Sequence, residues 1–356
     1  MRHFESLKST SAGCLGPHVT IRADGSTQLG MGHVMRCLAL AQALESRGIR
    51  SLYVGSPGSA GQAVFQTAGI ETTDAEIKGW DSDAEGVRRA ALENASSWII
   101  LDGPNFRSEY LTSLTGTTAG ILLLDDDGRA ELPCVDVLCN PQVYAERSMY
   151  PRAAASTRFL LGSRYAIVRS AFVNAKKRPR ANPGHIKNVV VTMGGSDPEG
   201  GTLRVLKWLA SAGNYARDLE IRTIIGPAYA ESSVPDLLGV GGTLSLQVLR
   251  NPADLVDQFQ WADVAISASG GTTVELAVLG IPMLLLPLAN NQRLIAAAFE
   301  TRGLAIVLPD DFERIAPTDA IQTALELPRC SAPGGEAGAE WLDGEGASRI
   351  VSTLFP

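Results

Sequence analysis

A stretch near the N-terminus brings together an acid, three glycines, a histidine and two arginines: RADGSTQLGMGHVMR, residues 22–36. His33 falls at the first turn of a predicted helix, where the helix dipole favours a neutral imidazole that can accept a proton. Asp24 ends the preceding predicted strand and can either orient that ring or hold a ligand hydroxyl. These residue types predict general-base chemistry by His33, with Asp24 as the second catalytic residue. The same spacing also fits an ordinary strand–helix turn with surface side chains.

Two glycines, Gly30 and Gly32, shape the loop before that helix. They remove side chains from the approach to the helix N-terminus, so that backbone N–H groups can come close to a ligand. The pattern is not the GxGxxG dinucleotide fingerprint, because Gly32 is followed by His33 and not by a third helix-packing glycine. Arg36 lies three residues after His33 on roughly the same helix face. We therefore expect Gly30, Gly32 and Arg36 to contact the substrate.

A second glycine turn, SASGGTTVEL at residues 267–276, joins a predicted strand to a predicted helix. Such a turn forms a cradle for anions, because the first four N–H donors of a helix have no partner within it. A diphosphate suits the cradle, and Glu275 can cap the helix or accept hydrogen bonds from ribose hydroxyls. The competing interpretation makes Ser269 and Thr272 plain caps and Glu275 a carboxylate that favours the dipole. The predicted contacts are Ser269, Gly270, Gly271, Thr272, Thr273 and Glu275.

Two further polar turns follow predicted strands of the second half. The turn GGSDP can complete a phosphate site from the other side, although a lone pair of glycines fits a structural turn equally well. The amides of ANNQ lie just beyond a buried strand and reach the same edge of the sheet. The predicted contacts here are Gly194, Gly195, Ser196, Asn291 and Gln292.

Two aspartates, Asp102 and Asp126, close predicted strands of the first half. The run 125–127 invites a metal interpretation, but consecutive residues on a strand point to opposite faces and no His or Glu at suitable spacing completes a ligand set. We therefore predict no metal and no other cofactor. Asp102 and Asp126 are expected at the edge of the sheet, as substrate contacts or structural residues.

Short apolar runs alternate with segments of helical period from residue 18 to the end. Runs that are apolar at every position indicate strands covered by helices on both faces, and hence a parallel α/β sheet. The predicted strands are 18–24, 51–55, 97–102, 120–126, 135–139, 158–161, 188–194, 219–226, 243–248, 263–268, 282–288 and 305–308. The predicted helices are 32–47, 59–68, 82–95, 107–115, 200–212, 252–261, 271–280, 291–302, 317–326 and 337–353.

A stretch with two prolines, a glycine and dense charge (174–187) predicts a linker between two domains. We expect an N-terminal extension, a first domain, the linker and a second domain whose last helix can pack back on the first: 1–17, 18–175, 176–187 and 188–356. Two doubly wound, Rossmann-like domains joined in this way face a shared cleft. Ligands of open α/β sheets bind at the carboxyl ends of the strands, and therefore at that cleft.

Composition narrows the class of protein and of partner. The formal net charge is −7 and the one basic run, at 176–180, lies in the predicted linker, so we expect no nucleic-acid partner. No uncharged run approaches the roughly 18–20 residues that span a bilayer, so we expect no membrane anchor. The five scattered cysteines complete no zinc site and fit reduced thiols in the cytoplasm. We expect a monomer or a weak oligomer.

Taken together, RADGSTQLGMGHVMR, LLDDD, GSRYAIVRSAF, GGSDP and SASGGTTVELAVLGIPMLLLPLANNQ resemble the PseG family, over about residues 19–303. These enzymes are UDP-2,4-diacetamido-2,4,6-trideoxy-β-L-altropyranose hydrolases of bacterial pseudaminic acid biosynthesis. The RADxSxxxGxGHxxR pattern carries most of the specificity. The last stretch is also similar to the UDP-sugar site of MurG-type glycosyltransferases.

The resemblance implies a GT-B architecture and a metal-independent reaction in which water attacks the anomeric carbon of a UDP-sugar with inversion. The family's catalytic histidine matches His33, and its uridine and diphosphate contacts match the SASGGTTVE and NNQ segments. Tyr165, within GSRYAIVRSAF, is a further substrate contact that the resemblance implies.

One departure from the family concerns the sugar. Asp102 is followed by Gly103-Pro104-Asn105, where the family often carries Asp-His-Tyr or a similar trio. A paralogue acting on another nucleotide sugar is therefore an alternative, as is a glycosyltransferase that uses the same cleft with an acceptor other than water. A nucleotide-sugar-binding module without catalysis is a third, but it has no reason to keep His33 and Asp24 in one turn.

Overall fold

The computed structural model describes residues 18–25, 30–128, 131–175, 185–240, 242, 244–327 and 341–356. Within them the chain forms two α/β units, each built on one parallel sheet, of seven strands in the first half and six in the second. The predicted extension and most of the predicted linker lie outside the described residues. No helix in the described ranges is long and apolar enough to cross a bilayer.

The first unit has the strand order β3-β2-β1-β4-β5-β6-β7. Its elements are β1 (His18–Ala23), α1 (Gly32–Glu45), β2 (Arg50–Gly55), α2 (Ala60–Thr67), β3 (Glu71–Asp74), α3 (Trp80–Glu93), β4 (Trp98–Asp102), α4 (Ser108–Ser113), β5 (Gly120–Leu124), β6 (Val137–Asn140) and β7 (Arg158–Leu161). A short helix, α5 (Ser170–Ala175), follows it.

The second unit has the strand order β10-β9-β8-β11-β12-β13. Its elements are β8 (Asn188–Thr192), α6 (Gly201–Ala210), α7 (Asn214–Arg217), β9 (Glu220–Ile225), α8 (Val234–Val240), β10 (Ser245–Arg250), α9 (Leu255–Trp261), β11 (Val264–Ala268), α10 (Gly271–Val278), β12 (Met283–Leu286), α11 (Asn290–Glu300), β13 (Ile306–Val307) and α12 (Pro317–Leu325), with α13 (Gly346–Leu354) at the C-terminus.

The central strands are buried along their whole length. Every residue of β1 and every residue of β11 is buried, as expected for central strands of a parallel sheet that is covered on both faces. In the first sheet Val19 and Ile21 pack in one apolar layer with α1, while Ile99 and Leu101 pack in another with α3 and α4. Helices therefore cover both faces.

Each sheet has one point where the strand order reverses, between β1 and β4 in the first and between β8 and β11 in the second. At such a point the chain leaves neighbouring strands toward opposite faces, so a crevice opens outside their carboxyl ends, and ligands of this fold class bind there. The loops after these four strands are therefore where function is expected.

Two helices cross between the units. The final helix packs on the layer that contains α1, where Ile350, Val351 and Leu354 are buried and the Trp98 indole N–H donates to the Leu354 carbonyl at 3.1 Å. In the opposite direction, Phe172 of α5 packs in the core of the second unit. The chain thus enters the second unit's core before the stretch predicted as linker.

Candidate functional site

The first half of the site lies where β1 and β4 end. These strands pair in parallel with Ala23 opposite Asp102, and the Asp24 N–H donates to the Asp102 carbonyl at 2.9 Å. Asp102 is the last residue of β4, and His33 is the second residue of α1, which begins beyond the loop after β1. The strand reversal thus brings together two side chains that are 69 residues apart in the chain.

His33 and Asp102 form a hydrogen-bonded pair. The distance between His33 Nδ1 and Asp102 Oδ1 is 2.8 Å, and the side-chain exposures are 24% and 1%. Because a carboxylate only accepts hydrogen bonds, Nδ1 carries the proton and Nε2 keeps its lone pair. Among the described residues none hydrogen-bonds to Nε2. The ring is therefore held in the tautomer that can accept a proton at Nε2.

Arg36 completes the cluster one turn along α1. Its Nε and Nη2 atoms donate to the two carboxylate oxygens of Asp102 at 2.9 and 2.6 Å, and Nη1 donates to both oxygens of Asp126 at 2.7 and 3.0 Å. Arg36 Nη2 also lies 3.0 Å from His33 Nδ1. Because the Nδ1–H group donates its hydrogen bond to Asp102, this is a close approach of two donor groups. Arg36, predicted as a substrate contact, is fully engaged in fixing the two aspartates.

The electrostatics of His33 differ from the prediction. Burial lowers its pKa, but the hydrogen bond and the charge of Asp102 raise it more, so that the pKa lies above the ordinary value. The predicted bias of the helix dipole toward a neutral ring is wrong, since the carboxylate outweighs it. Burial raises the pKa of Asp102, yet the charge of Arg36 and the hydrogen bonds from both neighbours hold it below its usual value.

Asp24 does not orient the histidine. It lies two residues after Arg22 and pairs with that side chain, Oδ1 to Nη2, at 3.4 Å, while its Oδ2 accepts from the Asn105 N–H at 3.2 Å. A Cβ on Gly103 would lie 2.3 Å from Asp24 Oδ2, and Gly103 has φ +151°, so only glycine lets the chain pass there. The first predicted role of Asp24 is therefore wrong, and the second, holding a ligand hydroxyl, stays a prediction.

The second half of the site lies after β11. Helix α10 begins at Gly271 with Gly270 as its cap residue, and no side chain caps it. Ser269 is fully buried and its hydroxyl has no hydrogen-bond partner among the described residues. The capping interpretation of Ser269 and Thr272 is thus wrong, and the helix N-terminus is open to an anion.

The neighbouring turn after β8 is used differently. Asp197 is buried and accepts from the N–H groups of Gly201 and Thr202 at 2.8 Å each, so its carboxylate caps α6. The exposed turn before Asp197 contains the predicted contacts Gly194, Gly195 and Ser196, and it takes no part in capping α6. An anion in this half of the site is therefore expected at α10.

Glu275 forms a bidentate ion pair with Arg169, at 2.6 Å from Oε1 to Nε and 2.8 Å from Oε2 to Nη2. The predicted capping role of Glu275 is wrong, because both oxygens bind the guanidinium. Arg169 precedes α5, and the next residue, Ser170, donates to Gln42 Oε1 of α1 at 2.9 Å. This segment links the helix that carries His33 with the helix that carries the anion cradle.

The remaining predicted contacts fall in three places. Gln292 accepts from the Leu288 N–H at 2.9 Å and so supports the turn before α11, while Asn291 is exposed beside it. Tyr165 packs against the core of the first unit together with α13. Gly30, at φ +78°, and Gly32 leave the N-terminus of α1 open toward the described residues, since a Cβ at either position would meet none of them within 4 Å. Contact of these residues with substrate stays a prediction.

Sequence reasoning missed two residues of the site. Arg169 lies in the quoted stretch GSRYAIVRSAF, but nothing in the spacing pairs it with a glutamate 106 positions away. Gln142 donates to Asp126 Oδ1 at 3.0 Å and has no local signal either. Within the described ranges no group of three or more His, Cys, Asp or Glu side chains is arranged to hold a metal ion.

One protein-family model and relatives in two organisms match parts or most of this chain. Residues 189–326 match the glycosyltransferase family 28 C-terminal domain. The spore coat polysaccharide biosynthesis protein SpsG of Bacillus subtilis is 25% identical over 346 residues, which is 95% of this chain and 97% of that protein. An uncharacterized protein of Methanocaldococcus jannaschii is 25% identical over 287 residues, 77% of this chain, and the match spans 56% of that protein.

The fold likeness extends over both units. The crystal structure of MurG from Acinetobacter baumannii matches with a TM-score of 0.65 at 15% identity, covering 95% of this chain and 99% of that one. The chain has the GT-B fold, which confirms the predicted architecture. Its second unit, with the open N-terminus of α10, is the part that matches the family 28 domain.

Proposed function

We propose that the protein is a nucleotide-sugar hydrolase, which releases UDP and a free sugar from a UDP-linked diacetamido-trideoxyhexose in nonulosonic (pseudaminic-type) acid biosynthesis. The observation that carries the proposal is the His33–Asp102 pair, with Nε2 unengaged by any described residue. A second, independent observation supports a nucleotide: the uncapped N-terminus of α10 beside the unpartnered Ser269 hydroxyl.

In this account the second unit binds UDP. The N–H groups at the start of α10 receive the diphosphate, and they stabilise the negative charge that grows on it as it leaves. Glu275, whose two oxygens accept from Nε and Nη2 of Arg169, then accepts from ribose hydroxyls with its remaining lone pairs. Charge stabilisation comes from helix dipole and backbone donors, so the chemistry needs no metal.

The first unit supplies the base. His33 Nε2 takes a proton from a water molecule, whose oxygen forms the new bond to the anomeric carbon. The bond from that carbon to the phosphate oxygen breaks, and its electron pair leaves with UDP. Attack from the face opposite UDP inverts the configuration. Asp102 stabilises the imidazolium that forms, because its carboxylate accepts the Nδ1–H bond at 2.8 Å.

A glycosyltransferase is the second candidate, and the match of residues 189–326 to the family 28 domain favours it. His33 then deprotonates an acceptor hydroxyl in place of water. Incubation with UDP-sugars in the absence and presence of acceptors separates the two candidates. Only a hydrolase releases UDP and free sugar when water is the sole acceptor.

The rate of hydrolysis is expected to rise with pH through the pKa of His33. A general base acts only when it is unprotonated, and Asp102 raises this pKa above its usual value, so the acid limb lies above the value of an ordinary histidine. A profile of kcat/KM between pH 5 and 9, values chosen to bracket about 6.5, measures it. A limb lying below the ordinary histidine value contradicts the geometry.

The anion cradle can be tested by placing a carboxylate in it. Thr272→Glu, at the second position of α10, is expected to abolish UDP binding, because the new charge occupies the helix N-terminus. The free energy of unfolding stays the same or rises by about 0.3–1 kcal/mol for the same reason. Calorimetric titration with UDP and denaturant unfolding measure the two effects.

A matched control exists in the same unit. Thr318 holds the second position of α12, so Thr318→Glu adds the same charge at the same place of another helix. UDP affinity is expected to be unchanged in this variant. Equal loss of UDP binding in both variants, or retained binding in Thr272→Glu, argues against a diphosphate at α10.

A further inference from the structure

A cavity of about 440 Å³ opens at the carboxyl edge of the first sheet. The proposed proton transfer and diphosphate binding do not involve it. It is lined by residues of the loop before α3, of α3 itself, and of the segment after β4. Arg22 and Asp24 form part of it, and they point to the face of the sheet that α3 covers. His33 and Asp102 lie on the α1 side of the same edge. Asp24 lines the cavity and its N–H donates to the Asp102 carbonyl at 2.9 Å, so the cavity adjoins the strand ends that carry the proposed base.

The floor of the cavity is a closed polar network. Arg22 donates from Nε and Nη2 to the two oxygens of Asp83 at 2.9 and 2.8 Å, and the Tyr110 hydroxyl donates to Asp83 Oδ1 at 3.2 Å. Arg22, Asp24 and Asp83 are all more than nine-tenths buried. Such a network is rigid, and its carboxylates keep lone pairs that can accept from hydroxyl or amide donors.

The rim carries the largest exposed aromatic side chain of the described residues. Trp80, the first residue of α3, is 52% exposed and lines the cavity. The cavity is also lined by the charged residues Lys78, Arg107 and Glu109. The lining as a whole has three basic and three acidic side chains, so it offers no net charge to an ionic ligand.

An exposed indole beside a polar network whose charges are paired fits one chemical class of ligand well. A sugar ring has an apolar face of C–H groups that packs on an aromatic plane, and equatorial hydroxyl or acetamido groups that donate to carboxylates. The cavity volume lies within the range of small-molecule sites, about 300–1,000 Å³.

We infer that this cavity binds the sugar ring of the nucleotide sugar, with Trp80 as the stacking platform and Asp24 as the acceptor nearest the reacting carbon. The inference names the sugar site of the proposed function and rests on it. UDP occupies the second unit and the sugar the first. Sugar selectivity then belongs to the loops around α3 and after β4, apart from the residues that perform the reaction.

Removing the platform separates sugar binding from nucleotide binding. Trp80→Ala is expected to raise KM for the UDP-sugar about three- to tenfold, the range for loss of an aromatic contact, with the affinity for UDP unchanged. The control is Leu92→Ala on the same helix, which removes a side chain that is 47% exposed and does not line the cavity. An unchanged KM in Trp80→Ala, or an equal loss of UDP affinity, overturns the inference.

A second measurement does not depend on turnover. The indole N–H resonance of Trp80, assigned with Trp80→Phe, is followed by NMR while N-acetylglucosamine is added to the UDP-saturated protein. It is expected to shift, whereas the resonance of Trp261 in the second unit does not. Failure of the Trp80 signal to move overturns the sugar site. If it moves while no UDP-sugar is hydrolysed, the sugar site stands and the proposed reaction fails.

Discussion

His33→Ala is expected to lower kcat for UDP release about 10²–10⁴-fold, the usual contribution of a general base. The affinity for UDP is expected to stay the same, because the diphosphate binds at α10 in the other unit. His33 is the second residue of α1 and its ring is partly exposed, so loss of the ring leaves the apolar layer around Val34 and Cys37 intact. The rate and UDP affinity are measured on the same preparation.

The matched control for this variant is His185→Ala. His185 is exposed and stands outside the cluster, just before β8, so its removal leaves turnover unchanged. If kcat for UDP release in His33→Ala lies within twofold of the value for the parent enzyme, the proposed mechanism is wrong, irrespective of the result for His185→Ala. Restoration of part of the rate by added imidazole supports a proton-accepting role for the missing ring.

Asp102→Asn is expected to have the largest combined effect, on stability and on chemistry. Asp102 is 1% exposed and accepts two hydrogen bonds from Arg36, so the amide leaves the guanidinium without a buried counter-charge on that side. Breaking a buried pair in this way costs about 3–5 kcal/mol of the free energy of unfolding. Denaturant unfolding measures the loss.

The same substitution shifts the pH dependence. The charge of Asp102 raises the pKa of His33, so its removal lowers that pKa and moves the acid limb of kcat/KM to lower pH. The maximal rate falls as well, because the imidazolium formed during reaction loses its counter-charge. Asp74→Asn is the control: this exposed aspartate also ends a strand of the first sheet, and its change in unfolding free energy is expected within about 0.5 kcal/mol. An acid limb that stays in place contradicts the assigned pair.

Sequence patterns predicted the architecture because the buried strands of a parallel sheet produce continuous apolar runs that can be recognised from neighbouring residues. The runs IIL in β4 and ILLL in β5 are apolar at every position, and β1, β4, β5 and β11 were each predicted within a few residues. The edge strand β3 was missed, since ETTD has no apolar run and only one neighbouring strand. The last helix begins at Gly346, after the non-helical residues 341–345, while residues 337–340 of the predicted helix lie outside the described residues.

The sequence predicted individual residues of the site but not which side chains form hydrogen bonds with each other. His33 and the turn before α10 carry local signals, glycines beside a helix start, that can be read from consecutive residues. The partner of His33 cannot, because Asp24 and Asp102 both end strands and only the alternation of side chains between faces decides which one meets the ring. The pKa of His33 depends on that choice, and it therefore differed from the expectation based on the helix dipole alone.

The most direct test of the account uses a UDP-linked 2,4-diacetamido-2,4,6-trideoxyhexose, oxygen-18-labelled water and no acceptor. UDP and free sugar are quantified, and the position of the label is read by mass spectrometry. We predict equal amounts of both products, with one labelled oxygen on the anomeric carbon of the sugar and none in UDP. Label in UDP, or release of UDP only after an acceptor is added, contradicts attack by His33-activated water at the anomeric carbon.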